Sequence, residues 1–394
     1  MSTDRLNRAV AAVPPSGIRR FFDIAGTMQG AISLGVGEPD FVTPWHIRDA
    51  AIRSLENGET QYTANRGLLS LRKEISYYLE KRFSVAYDPE KEIMVTVGGS
   101  EGIDLALRVL VEPGDEVLVP DPGYVSYAPC VTFAGGVPVP VRTKAEDDFR
   151  LTAEELEALI TEKTKVLIFP YPNNPTGAVM EKQHLEEIAK VVIRHDLFVV
   201  SDEIYTELTY GSDPVSIAAL PGMRERTVLL SGFSKAFAMT GWRIGYACAP
   251  SCILDVMNKV HQYVIMCAPR QGQVAAEEAL RRGREDGYRD IVTMRESYDR
   301  RRRLMLDAFR KMGLECFEPK GAFYCFPRVE QLGKSSEEFC TELLRGYKVV
   351  CVPGGAFGAS GEGHIRCCYA TGLEQMNEAF NRMRRYIDSL NGGK

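Results

Sequence analysis

Short apolar runs alternate with stretches of helical periodicity between residues 90 and 250. The strand candidates are Ile93–Val97, Glu116–Val119, Lys165–Phe169, Leu197–Ser201, Thr227–Leu230 and Ile244–Cys248. Each is short and rich in β-branched or aliphatic side chains, as strands buried on both faces of a parallel sheet are. A 3.6-residue period predicts helices over Ser100–Val111, Thr152–Ile160, Lys182–His195 and the long charged segment Gln271–Met312. Further helices are expected at Ser335–Arg345 and Leu373–Leu390. The alternation reads as repeated βαβ units. From Gly287 onward the rhythm is lost, and Ala322–Phe326 and His364–Tyr369 fall as strands between amphipathic helices. The expected fold is α/β, with a large domain over 45–286 whose mostly parallel sheet is covered by helices, and a smaller α+β domain over 287–394. Residues 1–44, punctuated by Gly and Pro, are expected to form an arm that joins the smaller domain or reaches another subunit.

Composition narrows the class of partner. With 394 residues, 45% of them hydrophobic, the chain can bury a large core and more than one domain. A formal net charge of −5 gives no electrostatic footprint for nucleic acid or an anionic membrane surface, so a small molecule is the default partner. The ten cysteines are scattered among apolar residues without a C-x-x-C pair or a grouping with the five histidines. Buried, reduced thiols and a cytoplasmic location are expected. Cys248 and Cys252 lack a histidine at ligand spacing, so they read as core and no metal site is expected. The first twenty residues hold an apolar stretch too short for a signal-peptide core or a membrane span. The run Arg300-Arg301-Arg302-Arg303 has Glu296 and Asp299 upstream at helical pairing distance and reads as a solvated helix face.

The polar residues of interest sit just after predicted strands, where open α/β sheets bind ligands. Lys235 follows a strand and the turn Ser231-Gly-Phe-Ser, and Arg243 lies eight residues further on. A lysine amine can form an imine with a carbonyl cofactor, and a guanidinium can clamp a phosphate with paired donors. Asp202 ends an apolar strand, so its carboxylate needs either a cationic partner or a helix N-terminus to cap. In Gly98-Gly99-Ser100-Glu101-Gly102, between a strand and a helix, backbone N–H groups could meet a phosphate at Ser100 and Glu101, although packing explains such glycines equally well. Asn173-Asn174-Pro175-Thr176-Gly177 is a turn by composition.

The block from Ser231 to Arg243 resembles the lysine signature of the class I, fold-type I pyridoxal-phosphate aminotransferases, in the aspartate and aromatic aminotransferase-like subgroup. The resemblance runs through nearly the whole chain. It includes Leu34-Gly-Val-Gly37-Glu-Pro-Asp-Phe, Gln61-Tyr62-Thr, Val97-Gly-Gly-Ser100-Glu101-Gly102, Asp121-Pro-Gly-Tyr124-Val-Ser-Tyr127, Asn173 to Gly177, Ser201-Asp202-Glu203-Ile204-Tyr205 and His364-Ile-Arg366.

The resemblance implies that Lys235 carries pyridoxal 5'-phosphate as an imine and acts as the general base. It further implies that Asp202 keeps the ring nitrogen protonated, that Asn174 and Tyr205 hydrogen-bond the ring oxygen, and that Tyr124 stacks on the ring. Ser100, Glu101 and Arg243 match cofactor-phosphate positions. Tyr62 matches a tyrosine that reaches the neighbouring subunit's phosphate, which implies a homodimer. Arg366 and Gly37 match the site for the substrate α-carboxylate, with Asn174 nearby. The implied reaction is ping-pong transfer of an amino group from aspartate, an aromatic or a related amino acid to a 2-oxo acid such as 2-oxoglutarate. The same residues serve C–S lyases and aminocyclopropane-carboxylate synthase-like eliminations, which remain an alternative. A regulator with an aminotransferase-like domain would need a DNA-binding module, for which the residues before Gly37 leave no room.

Overall fold

The computed structural model describes residues 5–18, 21 and 28–391; of the expected N-terminal arm, residues 1–4, 19–20 and 22–27 lie outside the described residues. A short strand, β1 (Ile32–Ser33), precedes a seven-stranded sheet built from β2 (Ile93–Thr96), β3 (Glu116–Asp121), β4 (Val137–Arg142), β5 (Thr164–Phe169), β6 (Phe198–Asp202), β7 (Thr227–Gly232) and β8 (Gly245–Cys248). The strand order is β2-β8-β7-β6-β5-β3-β4. Only β8 runs antiparallel to its neighbours, so the other six strands present their carboxyl ends on one edge.

Both faces of the sheet are covered, which is why its strands read as continuous apolar runs. Val166, Ile168, Val200, Val228 and Leu230 pack on the face that carries the Gly98–Leu110 helix, whereas Leu167, Phe169 and Val199 face the Lys182–Arg194 helix. The period of two along β6 therefore sends Asp202 to the same side as Val200, and the Ser201 and Glu203 side chains to the other.

Four shorter strands follow: β9 (Tyr324–Cys325), β10 (Val349–Val350), β11 (Val352–Pro353) and β12 (Ile365–Cys368). β11, β12 and β9 form an antiparallel sheet, while β10 pairs in parallel with β1. The helices Arg289–Lys311, Ser336–Tyr347 and Leu373–Asn391 cover these strands around a core containing Tyr298, Phe309, Phe339, Cys367 and Met383. Leu34 belongs to that core, so the segment beside β1 packs there. Among the described residues, no helix is long and apolar enough to cross a membrane.

Several expectations needed revision. The expected helix over Gln271–Met312 is two helices, Arg270–Asp286 and Arg289–Lys311, because Gly287 and Tyr288 both adopt left-handed backbone angles. The Tyr288 ring folds back onto Gly283, where even a Cβ would come within 2.3 Å of it. β4 was not anticipated, since Pro138 and Pro140 argue against a strand; it lies at the sheet edge, where missing N–H donors cost little. The arginine run is not a uniformly solvated face. Arg302 is buried, paired with Asp299 and Glu318, and Arg301 pairs with Asp40 and lies over the rings of Phe41 and Tyr298. Cys252 is exposed rather than core, while Cys248 is fully buried.

Gly245 on β8 fixes the sheet against the start of the Gly98–Leu110 helix. A Cβ there would lie 2.6 Å from the Gly98 carbonyl carbon and 2.7 Å from the Gly99 nitrogen, and backbone atoms cannot swing aside as a side chain can. Gly245→Ala is predicted to cost about 1–3 kcal/mol of stability, read as a lower denaturant midpoint. An unchanged midpoint would show that the helix start is not pinned there.

Candidate active site

A cavity of about 960 Å³ opens at the carboxyl edge of the parallel strands. Gly37, Ser100, Tyr124, Asn174, Asp202, Tyr205, Lys235, Arg243 and Arg366 all line it, brought from loops that follow five different strands, from the segment after β1 and from β12. Tyr62 and Glu101 do not line it. Tyr62 is 77% exposed, on the outer surface of this chain. Glu101 turns its carboxylate away: Oε2 accepts from the Val97 N–H at 2.5 Å and Oε1 lies 2.7 Å from His261 Nδ1. The phosphate contact expected at Glu101 is through its backbone N–H; its side chain satisfies the backbone at its own helix start.

Lys235 donates from Nζ to the Gly37 carbonyl at 2.7 Å and lies 5.7 Å from the ring centres of Tyr205 and Phe323. Although the residue is partly open to the cavity, the crowding around its amine disfavours the charged form and brings its pKa down to about 8. Arg366 and Arg243 push the same way, against Cys368 and Glu38. Near neutral pH a usable fraction of the amine is therefore uncharged, as a nucleophile or base requires.

Asp202 is buried at the end of β6. Its oxygens accept from the Tyr127 hydroxyl at 2.7 Å and from the Ile204 N–H at 3.3 Å, and from no cation among the described residues. Burial raises its pKa, with the Tyr127 and Ile204 bonds and Lys235 working against that rise. Such a carboxylate, aimed into a cavity, suits a ligand that brings a cationic N–H.

An anion cradle lies beside it. Arg243, in left-handed conformation, sets its guanidinium against Gly98, where a Cβ would fall 2.4 Å from Nη2. Ser100 and the first N–H groups of the Gly98–Leu110 helix face the same space, and helix starts leave such donors without intrahelical partners.

Arg366, on β12, spans from its own sheet to the strand-end loops. It donates from Nη1 to Asn174 Oδ1 at 2.8 Å and from Nη2 to the Gly35 carbonyl at 2.7 Å. Its guanidinium lies close to the rings of Tyr324 and Phe357, with centroids 4.5 Å and 4.8 Å away, and its buried Nε has no partner among the described residues. A carboxylate would satisfy that donor.

Some site residues were not singled out from sequence. In the sequence Tyr127 is only the end of the block from Asp121, yet its hydroxyl holds Asp202. Tyr324 was read only as part of a strand. Its hydroxyl meets the Tyr205 hydroxyl at 2.8 Å and would clash at 2.3 Å with any Cβ at position 37, so Gly37 is the one residue type that fits there. The alternation along β9 was too short to signal which side Tyr324 would face.

Glu203 lies behind Asp202, its Oε1 accepting from Ser201 at 2.9 Å and Ser216 at 2.7 Å. Burial raises its pKa from 4.5 to about 7, the serine bonds opposing and Asp202 reinforcing the rise. The folded chain thus binds this proton more tightly than the unfolded chain. Stability from this group is complete below pH 4.5 and is lost as pH rises through about 7. Glu203→Gln, which mimics the protonated form, is predicted to gain up to about 3 kcal/mol relative to wild type between pH 5 and pH 8. Denaturant titrations at both pH values would show it; parallel stability curves would refute the buried proton.

Comparison with known proteins agrees with this geometry. The family described as aminotransferase class I and II matches residues 29–383. The chain is 54% identical over 385 residues to a Bacillus subtilis protein named as aminotransferase YugH, covering 98% of this chain and 99% of that one. It is 47% identical over 386 residues to an aspartate aminotransferase of Pyrococcus abyssi, covering 98% of each. The crystal structure of an aromatic aminotransferase from Pyrococcus horikoshii superposes with a TM-score of 0.89 at 46% identity, over 94% of this chain and 99% of that one. A lysine with a lowered pKa, an unpaired buried carboxylate, an anion cradle and a waiting arginine are thus found in one cavity of a chain that belongs to the class I and II aminotransferases, enzymes of amino-acid transamination.

Proposed function

We propose that this cavity takes pyridoxal 5'-phosphate together with an α-amino acid or a 2-oxo acid, and that the chain exchanges amino groups between them in a ping-pong sequence. The observation that carries the proposal is the convergence of Lys235, Asp202 and Arg366 on one space. When bound there, the cofactor supplies a sink for the electron pair left at the substrate α-carbon.

The roles of the protein groups follow from their surroundings. The Lys235 amine would hold the cofactor through its carbonyl carbon and, when free, would be the base that moves the proton at the substrate α-carbon. Asp202, oriented by Tyr127, gains in the ring N–H the cation that its buried carboxylate lacks. Arg243, Ser100 and the N–H groups at the start of the Gly98–Leu110 helix hold the phosphate. Tyr124 would stack on the ring, and the Asn174 amide and Tyr205 hydroxyl would hold its oxygen. Arg366 takes the substrate carboxylate, with Gly37 leaving room beside it.

Two features bear on substrate and assembly. Lys235, Arg243 and Arg366 are the only cations among the described residues lining the cavity, and all three have roles above. The remaining wall includes Ile18, Val125 and Tyr324, apolar surface that suits an aromatic side chain on the amino donor. The exposure of Tyr62 suits a homodimer in which Tyr62 of the partner subunit completes the phosphate site. We place the enzyme in the cytoplasm, given ten free cysteines, and take 2-oxoglutarate as a suitable amino acceptor. The names of the relatives favour transamination over elimination.

Addition of single amino acids to the cofactor-loaded protein, without acceptor, tests the reaction. Loss of the yellow absorbance with release of one equivalent of 2-oxo acid is expected, faster with phenylalanine or tyrosine than with aspartate. Ammonia in place of the 2-oxo acid would identify an eliminating enzyme. Lys235→Ala should fold and retain essentially no turnover. Arg366→Ala should lose about 2–5 kcal/mol of substrate binding, seen as a raised KM.

A further inference from the structure

We propose that His261 is held as an imidazolium and, with Glu101, is a positioning residue that ties the start of the phosphate-facing helix to the loop carrying Tyr62. The cofactor-related part of this role rests on the function proposed above; the clamp itself does not.

His261 lies on the Ser251–Val264 helix with none of its surface exposed. Its Nδ1 is 2.7 Å from Glu101 Oε1, and its Nε2 is 2.9 Å from the Asn65 carbonyl oxygen. A carbonyl only accepts, so Nε2 carries a proton. A neutral ring would then turn a bare nitrogen lone pair toward a carboxylate, and a second proton must lie between them. Glu101 sits in the first turn of its helix, where the backbone dipole favours negative charge, and its other oxygen accepts the Val97 N–H. Both place the shared proton on the ring. Arg66, the charged neighbour of Asn65, is paired with Asp255, and Lys259 on the histidine's own helix is exposed. Neither competes for Glu101.

The pair joins three pieces of chain. One is the helix start, where Ser100 is the immediate neighbour of Glu101. Another is the loop before Gly67, held at Asn65 by His261, at Thr63 by Gln273 Nε2 at 3.1 Å, and by the bond from Asn65 Nδ2 to the Met266 carbonyl at 2.8 Å. Tyr62 is three residues from Asn65. The third is the helix that carries His261 itself. Such a pair fixes relative position, because releasing Glu101 would leave the charge of the fully buried His261 without its partner. The clamp therefore bears both on Ser100, on its cavity side, and on the loop that presents Tyr62 on the outer surface.

Nitrogen-15 NMR of histidine-labelled protein reads the ring directly, with or without cofactor. Both ring nitrogens of His261 should carry protons, as the two acceptors facing them require; a ring with one bare nitrogen would overturn the proposal. His261→Gln should then weaken pyridoxal phosphate binding about tenfold, the factor expected for loss of one charge-assisted hydrogen bond, with a smaller change in turnover at saturating cofactor. Adding Glu101→Gln to that variant should weaken binding little further, since both act through one bond. Unchanged cofactor affinity, or fully additive losses, would remove the positioning role even if the ring is charged. A wild-type protein that takes up no pyridoxal phosphate while both ring nitrogens are protonated would count against the proposed function and leave the clamp standing.

Discussion

A carboxylate buried at the end of a β-strand is costly unless something pays for it, and Asp202 is placed there with no hydrogen-bonded cation among the described residues. The Tyr127 hydroxyl and the Ile204 N–H lower the cost without cancelling the charge. The surrounding structure is arranged about that deficit. Asp202 can be there because β6 is sealed on both faces, and it points into the cavity because the strand's alternation puts it on the side of Val200. Its neighbour Glu203 faces the other way and is quietened by two serines and a proton. Two adjacent acids thus have separate environments, and only one is available to a ligand.

Arg366 solves a different problem. It belongs to the three-stranded antiparallel sheet but makes its hydrogen bonds to Asn174, in a loop of the large sheet, and to Gly35, in the segment following β1. A guanidinium has five donors in a fixed plane, so it can join both pieces and still leave Nε free. Contact with the rings of Tyr324 and Phe357 holds that plane in place. The same residue that would bind substrate therefore also ties the pieces of the fold that enclose it.

Much of this was legible in the sequence because parallel strands buried on both faces leave an unbroken apolar signature, and ligand-binding groups cluster just after them. The strands β2, β3 and β5 to β8 lie within a residue or two of their expected positions, and nine of the expected site residues line one cavity. β4 was hidden because its prolines are tolerated only at a sheet edge, and edge position is not a local property. The break at Gly287 was hidden because glycine within a charged helical pattern is ambiguous until a ring such as that of Tyr288 is seen to pack against Gly283. Arg302 looked solvated because its partner Glu318 lies beyond the end of its own helix and the ring of Tyr210 comes from a distant part of the chain.

By itself the sequence determined the βαβ rhythm, the chemistry available at each strand end and the family, because these depend on local periodicity and on residue types at fixed spacing. Only the tertiary structure decided which way individual side chains turn. It put Glu101 onto His261 rather than into the cavity, made Tyr127 the support of Asp202, and set Tyr324 against Gly37 so that no larger residue fits there. Those outcomes depend on contacts between residues far apart in the chain, whose distances and orientations are fixed only when the sheets and helices have packed.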